Sequence, residues 1–233
     1  MMTRPRVGLL GGTFDPIHLG HLAVARVAQQ SLHLDAVRFI PSARPPHRAD
    51  SPHASGYDRL EMIRLAIADQ ADGSATGWHA SDLELRREGS SYSVDTLRAM
   101  HAEGLSPLQI FFLTGADAFA EVATWHRYPE VLDASHFVVV TRPGSSLEDV
   151  RRRLPSLAAR MIAPSDVAHA ATPHVVLLEA RTPDVSSTDV RQRAARGESL
   201  AGLVTPSVAA YISDKFLYRT EAGAPVAPVP PGA

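Results

Sequence analysis

The sequence predicts one α/β domain built on a doubly wound, mostly parallel sheet. Three observations carry this expectation. Short apolar runs alternate with helical stretches along the chain. The first run stops at a pair of glycines that lead into a helix, so strand, turn, helix and strand form a right-handed crossover unit. No internal repeat or linker divides the chain.

Taken in order, Val7-Gly8-Leu9-Leu10 reads as a buried strand ended by Gly11-Gly12. Residues Leu19 to Ser31 read as a helix with Leu22, Ala25 and Ala28 near one face. Ala36 to Pro41 reads as a second strand, stopped by proline. Asp58 to Ala68 is helical, Asp82 to Leu85 is a short strand, and Ser93 opens a helix with Asp95 in its first turn. Gln109–Leu113, His136–Val140 and Val175–Leu178 read as further buried strands. Ser186–Ala195 and Ser207–Phe216 read as closing helices. Pro41 to Pro52 is a proline-rich loop, and Arg151 to Pro173 is apolar but follows no period. The expected domain is residues 1–220, followed by a disordered Gly-, Ala- and Pro-rich tail at 221–233. Ligands of such folds bind beyond the carboxyl ends of the strands.

Composition narrows the function. The 233 residues carry 23 Lys and Arg against 25 Asp and Glu, a formal charge of −2, which speaks against a chain built to neutralise a nucleic-acid backbone. There is no cysteine, so disulfides, thiolate metal sites and cysteine nucleophiles are excluded. No apolar run approaches the roughly 20 residues that span a bilayer, and no signal-peptide core opens the chain, so a cytoplasmic protein without a membrane partner is expected.

The most informative stretch is Gly11-Gly12-Thr13-Phe14-Asp15-Pro16-Ile17-His18-Leu19-Gly20-His21, between the first strand and the first helix. Glycines there allow close backbone approach to a ligand, and a helix start offers free N–H groups to an anion. It is neither a Walker A loop nor a G-x-G-x-x-G turn, so other groups must hold the phosphate. His18 and His21, three residues apart at a helix start, lie on one side. Such a pair is ordinarily a cap or surface feature, and a metal reading needs ligands that are not evident, since H-E-x-x-H is absent. The placement after strand and glycines favours phosphate chemistry. A second cluster, Ser186-Ser187-Thr188-Asp189-Val190-Arg191, brings hydroxyls, a helix start and a guanidinium fork.

Together these segments resemble the signature of the nucleotidyltransferase superfamily, whose members are distantly similar to class I aminoacyl-tRNA synthetases. The second cluster resembles the family's I-S-S-T-x-I-R segment, with Val185 in place of isoleucine. Ser90-Ser91-Tyr92-Ser93-Val94-Asp95-Thr96-Leu97, after Glu84 and Arg87, resembles the S-Y-T-x-D-T-L segment of nicotinate-nucleotide adenylyltransferases, with Ser93 for threonine. Pro45-Pro46-His47-Arg48 resembles their P-P-H-K loop, with arginine for lysine. Gly115-Ala116-Asp117, Trp125, Val208, Tyr211-Ile212 and Leu217-Tyr218 match later positions.

The resemblance implies a Rossmann-like nucleotidyltransferase fold and adenylyl transfer from ATP to nicotinate mononucleotide. A sister activity on nicotinamide mononucleotide or phosphopantetheine is the alternative. It implies an ATP site at Gly11, Gly12, Thr13, Phe14, His18, Gly20, His21, Gly115, Asp117, Ser186, Ser187, Thr188 and Arg191. His18, His21 and Arg191 would be catalytic. Nicotinate mononucleotide would meet Asp15, Arg48, Tyr92, Ser93, Asp95, Thr96 and Trp125. A flat ring wants an aromatic face, for which Trp125 is the candidate, unless it is a core residue. Asp117 suits a ribose or a plain cap, and Arg48 a phosphate or solvent. A Mg²⁺ ion is expected on the nucleotide phosphates and water, with no protein side chain as ligand. Oligomeric state is open, a homo-oligomer included.

Overall fold

The computed structural model describes residues 5–45, 51–70, 76–141, 147–180 and 182–219. Seven strands form one sheet in the order β3-β2-β1-β4-β5-β7-β6, and every pairing is parallel. The strands are β1 (Val7–Gly12), β2 (Ala36–Pro41), β3 (Trp78–Ala80), β4 (Ile110–Gly115), β5 (His136–Thr141), β6 (Met161–Ile162) and β7 (Val175–Glu179). The central strands are apolar without a break because helices cover both sheet faces.

Alternate residues of each strand feed two cores. On one face Leu10, Phe39, Phe111 and Val138 pack against α1 (Leu19–Leu32), α2 (Gly56–Ala68), α6 (Ser187–Ala195) and α7 (Pro206–Asp214). On the other, Leu9, Phe112, Phe137 and Val139 pack against α3 (Ser93–Ala102), α4 (Ala116–Ala120) and α5 (Leu147–Arg153). Leu22, Ala25, Ala28 and Leu32 give α1 its buried stripe. Strand order reverses between β1 and β4, so the connections leaving their carboxyl ends go to opposite faces and open a crevice there.

One expected strand is corrected. Asp82 to Leu85 is a turn; the third strand lies just before it, at Trp78–Ala80. The Ser81 N–H still bonds the Phe39 carbonyl, after which Arg86 N–H closes on Asp82. The alternation of Leu83 and Leu85 therefore anchors a loop and makes no sheet. The aperiodic stretch 151–173 resolves into the end of α5, two proline-led 3₁₀ turns and the edge strand β6. The expected tail at 221–233 lies outside the described residues. Among the described residues no helix is long and apolar enough to cross a membrane.

His136 opens β5 in the core, 1% exposed, with its ring stacked on Phe111 and its Nδ1 accepting the His174 N–H. Burial, with the charges of His174 and Arg6 added, pushes its pKa down to about 4. Between 6.5 and about 4 the unfolded chain takes up a proton that the folded chain refuses. Stability attributable to this group is therefore full above pH 6.5 and falls with pH through that window, by about 3 kcal/mol. Urea titrations at pH 7 and pH 4.5 check this: His136→Gln shrinks the difference between the two, and an unchanged difference refutes it.

Candidate functional site

The carboxyl end of β1 is shaped by a tight return. A Cβ on Gly12 would sit 3.3 Å from the Phe14 ring, and Phe14 takes a left-handed φ of 48° to fold back over it. The buried Phe14 ring then meets His21 edge-on, with centroids 4.9 Å apart. His18 is the N-cap of α1, and the two histidines cap the helix reciprocally. His21 Nδ1 accepts the His18 backbone N–H at 3.2 Å, and the rings stack 3.7 Å apart. Because Nδ1 is an acceptor, a neutral His21 carries its proton on Nε2, at the far side of the ring. Capping thus fixes the tautomer that can donate to a phosphate. Gly20 keeps the pair in place: a Cβ there would lie 3.0 Å from His18 Cε1 and Nδ1.

The second motif closes on the first from the opposite end of the chain. Ser186 caps α6, its Oγ accepting the Asp189 N–H. Ser187 Oγ donates to the Pro16 carbonyl at 2.9 Å, and Arg191 Nη1 donates to the Asp15 carbonyl at 2.7 Å, across 176 residues of sequence. Arg191 Nη2 bonds Thr188 Oγ1 at 3.2 Å. The paired imidazoles and the guanidinium therefore share one short loop.

That loop is held by Asp15, whose side chain is 2% exposed. Its carboxylate accepts the N–H groups of His53 and Ala54 at 2.8 and 3.0 Å and the Tyr218 hydroxyl at 2.9 Å. Burial works to raise its pKa, but these hydrogen bonds outweigh it and the net shift is downward. The equally buried Arg59 donates to the carbonyls of Thr13, Ser42 and Ala54, and its charge couples to Asp15. Burial and the Asp15 charge together push the Tyr218 phenol well above its ordinary value.

Across the crevice, the head of α3 opens onto a cavity of about 540 Å³ lined by Ser91, Tyr92, Ser93, Ala118, Glu121, Thr124, Trp125 and His126. Ser93 and Val94 head the helix, where N–H groups have no partner within it. Trp125 is propped edge-on against Phe112, Phe119 and Phe137 at 5.9 to 6.3 Å, which fixes its plane at the cavity wall. Tyr92 carries the His126 ring stacked on it at 4.4 Å. Ser91 ties the cavity to the proline-rich loop, its Oγ accepting the Ala43 and Arg44 N–H groups.

Tyr92, Ser93 and Trp125 thus share one cavity. Thr96 is buried behind it and donates to Glu84, whose pKa burial raises against that bond, the Ser91 hydroxyl and the Arg87 charge. Asp95 pairs with Arg98 at 3.0 Å. Asp15 is committed to protein donors, so it supports the loop after β1 from behind. Gly115 caps α4 with open space around it, and Asp117 beside it is 84% exposed, 4.0 Å from Arg153. Arg48 lies outside the described residues. Sequence reasoning missed Arg59, Glu121, Thr124 and His126; only the position of His126 next to Trp125 gave any signal. Among the described residues no group of three or more His, Asp or Glu is placed to hold a metal ion.

The Cytidylyltransferase-like family matches residues 9–193. A Pseudomonas fluorescens protein named "probable nicotinate-nucleotide adenylyltransferase" is 42% identical over 216 residues, covering 92% of this chain and 97% of its own. A Desulfitobacterium hafniense protein of the same name is 39% identical over 219 residues, covering 92% and 96%. The fold is similar to that of the Plasmodium falciparum nicotinic acid mononucleotide adenylyltransferase complexed with NaAD. That match has a TM-score of 0.70 at 16% identity and covers 92% of this chain and 98% of that one.

The Asp15 network predicts a specific sensitivity. Asp15→Asn leaves the Arg59 charge buried without its counterweight, at a cost of about 3 kcal/mol in urea unfolding. Tyr218→Phe removes one neutral donor and costs about 1 kcal/mol. The Asp15 contribution is full above the ordinary carboxylate value of 3.8 and is lost as pH falls through the lower folded value. Equal, small losses in both variants would show that the carboxylate does not organise this loop.

Proposed function

This chain belongs to the Cytidylyltransferase-like family and, within it, to the nicotinate-nucleotide adenylyltransferases; from that premise we propose how its residues divide the reaction. The enzyme transfers the adenylyl group of ATP to nicotinate mononucleotide, a step of NAD biosynthesis. A phosphate oxygen of the mononucleotide attacks the α-phosphorus in line. The new O–P bond forms as the bond to the β-phosphate oxygen breaks, and pyrophosphate leaves with that electron pair. No protein nucleophile is needed, so catalysis rests on alignment and on donors aimed at developing charge.

The convergence of His18, His21 and Arg191 on the loop after β1 carries this reading. The His21 Nε2–H is set by the helix cap to donate to the triphosphate. Arg191 anchors one arm on the Asp15 carbonyl and keeps its charge beside the same phosphates. Gly11, Gly12 and Thr13 let the nucleotide approach the end of β1, and Gly115 gives it an open flank at the end of β4. The hydroxyls of Ser186, Ser187 and Thr188 edge the phosphate side, and the exposed Asp117 meets a ribose.

The α3 cavity takes the pyridine. Trp125 offers a ring face, and the N–H groups of Ser93 and Val94 meet the ring carboxylate at a helix start. A carboxylate offers these donors two charged acceptor oxygens where a carboxamide offers one neutral one, a modest preference for nicotinate over nicotinamide mononucleotide. Phosphopantetheine has no flat ring to match Trp125. Magnesium is proposed as the counter-ion with which ATP arrives, held by phosphates and water; the Arg191 guanidinium and the N–H groups at the helix starts complement anions and would meet the phosphates beside such an ion. Such an ion neutralises triphosphate charge. A soluble cytoplasmic setting suits such small-molecule substrates.

Pyrophosphate release from ATP and nicotinate mononucleotide tests the assignment directly. His18→Ala and His21→Ala are each expected to lower the single-turnover rate about 10²- to 10³-fold, while mononucleotide affinity stays within a few-fold. Parent-like single-turnover rates in either variant would remove that histidine from the mechanism.

A further inference from the structure

The cavity at the head of α3 also contains the imidazole of His126. His126 follows Trp125, lies on the protein surface, and stacks on the N-cap residue Tyr92 with ring centroids 4.4 Å apart and planes 27° from parallel. It lines the same cavity as Trp125 and the first helical residue Ser93. The imidazole therefore lies one ring spacing from the Tyr92 side chain and shares a cavity with the helix start expected to receive the pyridine substituent.

Helix-end N–H groups alone discriminate weakly, because a carboxamide also presents a carbonyl oxygen to them. A second difficulty is Glu121, a cavity-lining residue whose negative charge would oppose a ring carboxylate and favour an amide NH₂. A group that donates, and that gains strength when its acceptor is charged, would tip this balance. An imidazole N–H does so, and more strongly when protonated. Resting on the reaction assigned above, we propose that His126 is a substrate contact that selects a carboxylate over a carboxamide on the pyridine ring, against the opposing pull of Glu121.

Calorimetric titration of the full chain with nicotinate mononucleotide and with nicotinamide mononucleotide tests this, with pyrophosphate release followed in parallel. His126→Phe keeps an aromatic stack on Tyr92 but removes every N–H. It is expected to weaken nicotinate mononucleotide about ten-fold and to leave nicotinamide mononucleotide within two-fold. His126→Gln, which restores a donor, recovers part of the loss. Glu121→Gln moves the ratio in the opposite direction. If His126→Phe weakens both ligands alike, or neither, the ring is only a stacking partner and the proposal fails. If the parent binds nicotinate mononucleotide with this selectivity yet releases no pyrophosphate, the reaction assignment fails and the selectivity proposal stands. A parent that binds neither mononucleotide overturns both.

Discussion

A single buried carboxylate organises the loop that follows β1. Asp15 gathers the backbone at 53 and 54, the phenol of Tyr218 and the charge of Arg59 around one loop, while its own carbonyl receives Arg191. Ionised groups are costly to bury unless each finds partners, and here every partner is structural. The loop carrying both histidines is consequently set before any nucleotide arrives. Preorganised donors of this kind need little rearrangement when negative charge develops.

The two halves of the site have different physical characters because they grow from different faces of the sheet. The β1 side is polar, built from a helix cap, a guanidinium and a glycine turn. The α3 side is aromatic, with Trp125 wedged among three phenylalanines of the second core. A substrate with a phosphate at one end and a flat charged ring at the other needs both characters at a fixed separation. The reversal of strand order between β1 and β4 supplies that separation, since adjacent strands send their loops to opposite sides.

Much of this was legible in the chain. Uninterrupted apolar runs marked the central strands, and the glycine pair before His18 located the crevice. Local pattern failed where tertiary contacts decide. Leu83 and Leu85 alternate like strand residues, but a turn closes over them once Ser81 has made the last sheet bond. Thr96 sits in a motif that reads as substrate contact, yet its hydroxyl is directed at Glu84. Nothing local to Asp15 announces Tyr218, which lies 203 residues away. The placement of His126 over Tyr92 depends on two loops from different crossovers meeting at one helix end, and that meeting is invisible to periodicity.

The bond from Arg191 to the Asp15 carbonyl has a bearing on biosynthesis. All seven strands are complete by Glu179, so a nascent polypeptide emerging from the ribosome can assemble its sheet before α6 and Tyr218 exist outside the tunnel. Only when those last segments dock does the first loop acquire its guanidinium and its phenol. Translation therefore completes the strands before the segments that cover one face and tie the first loop, and a product terminated after β7 would leave that face of the sheet partly bare and the loop without its distal anchors.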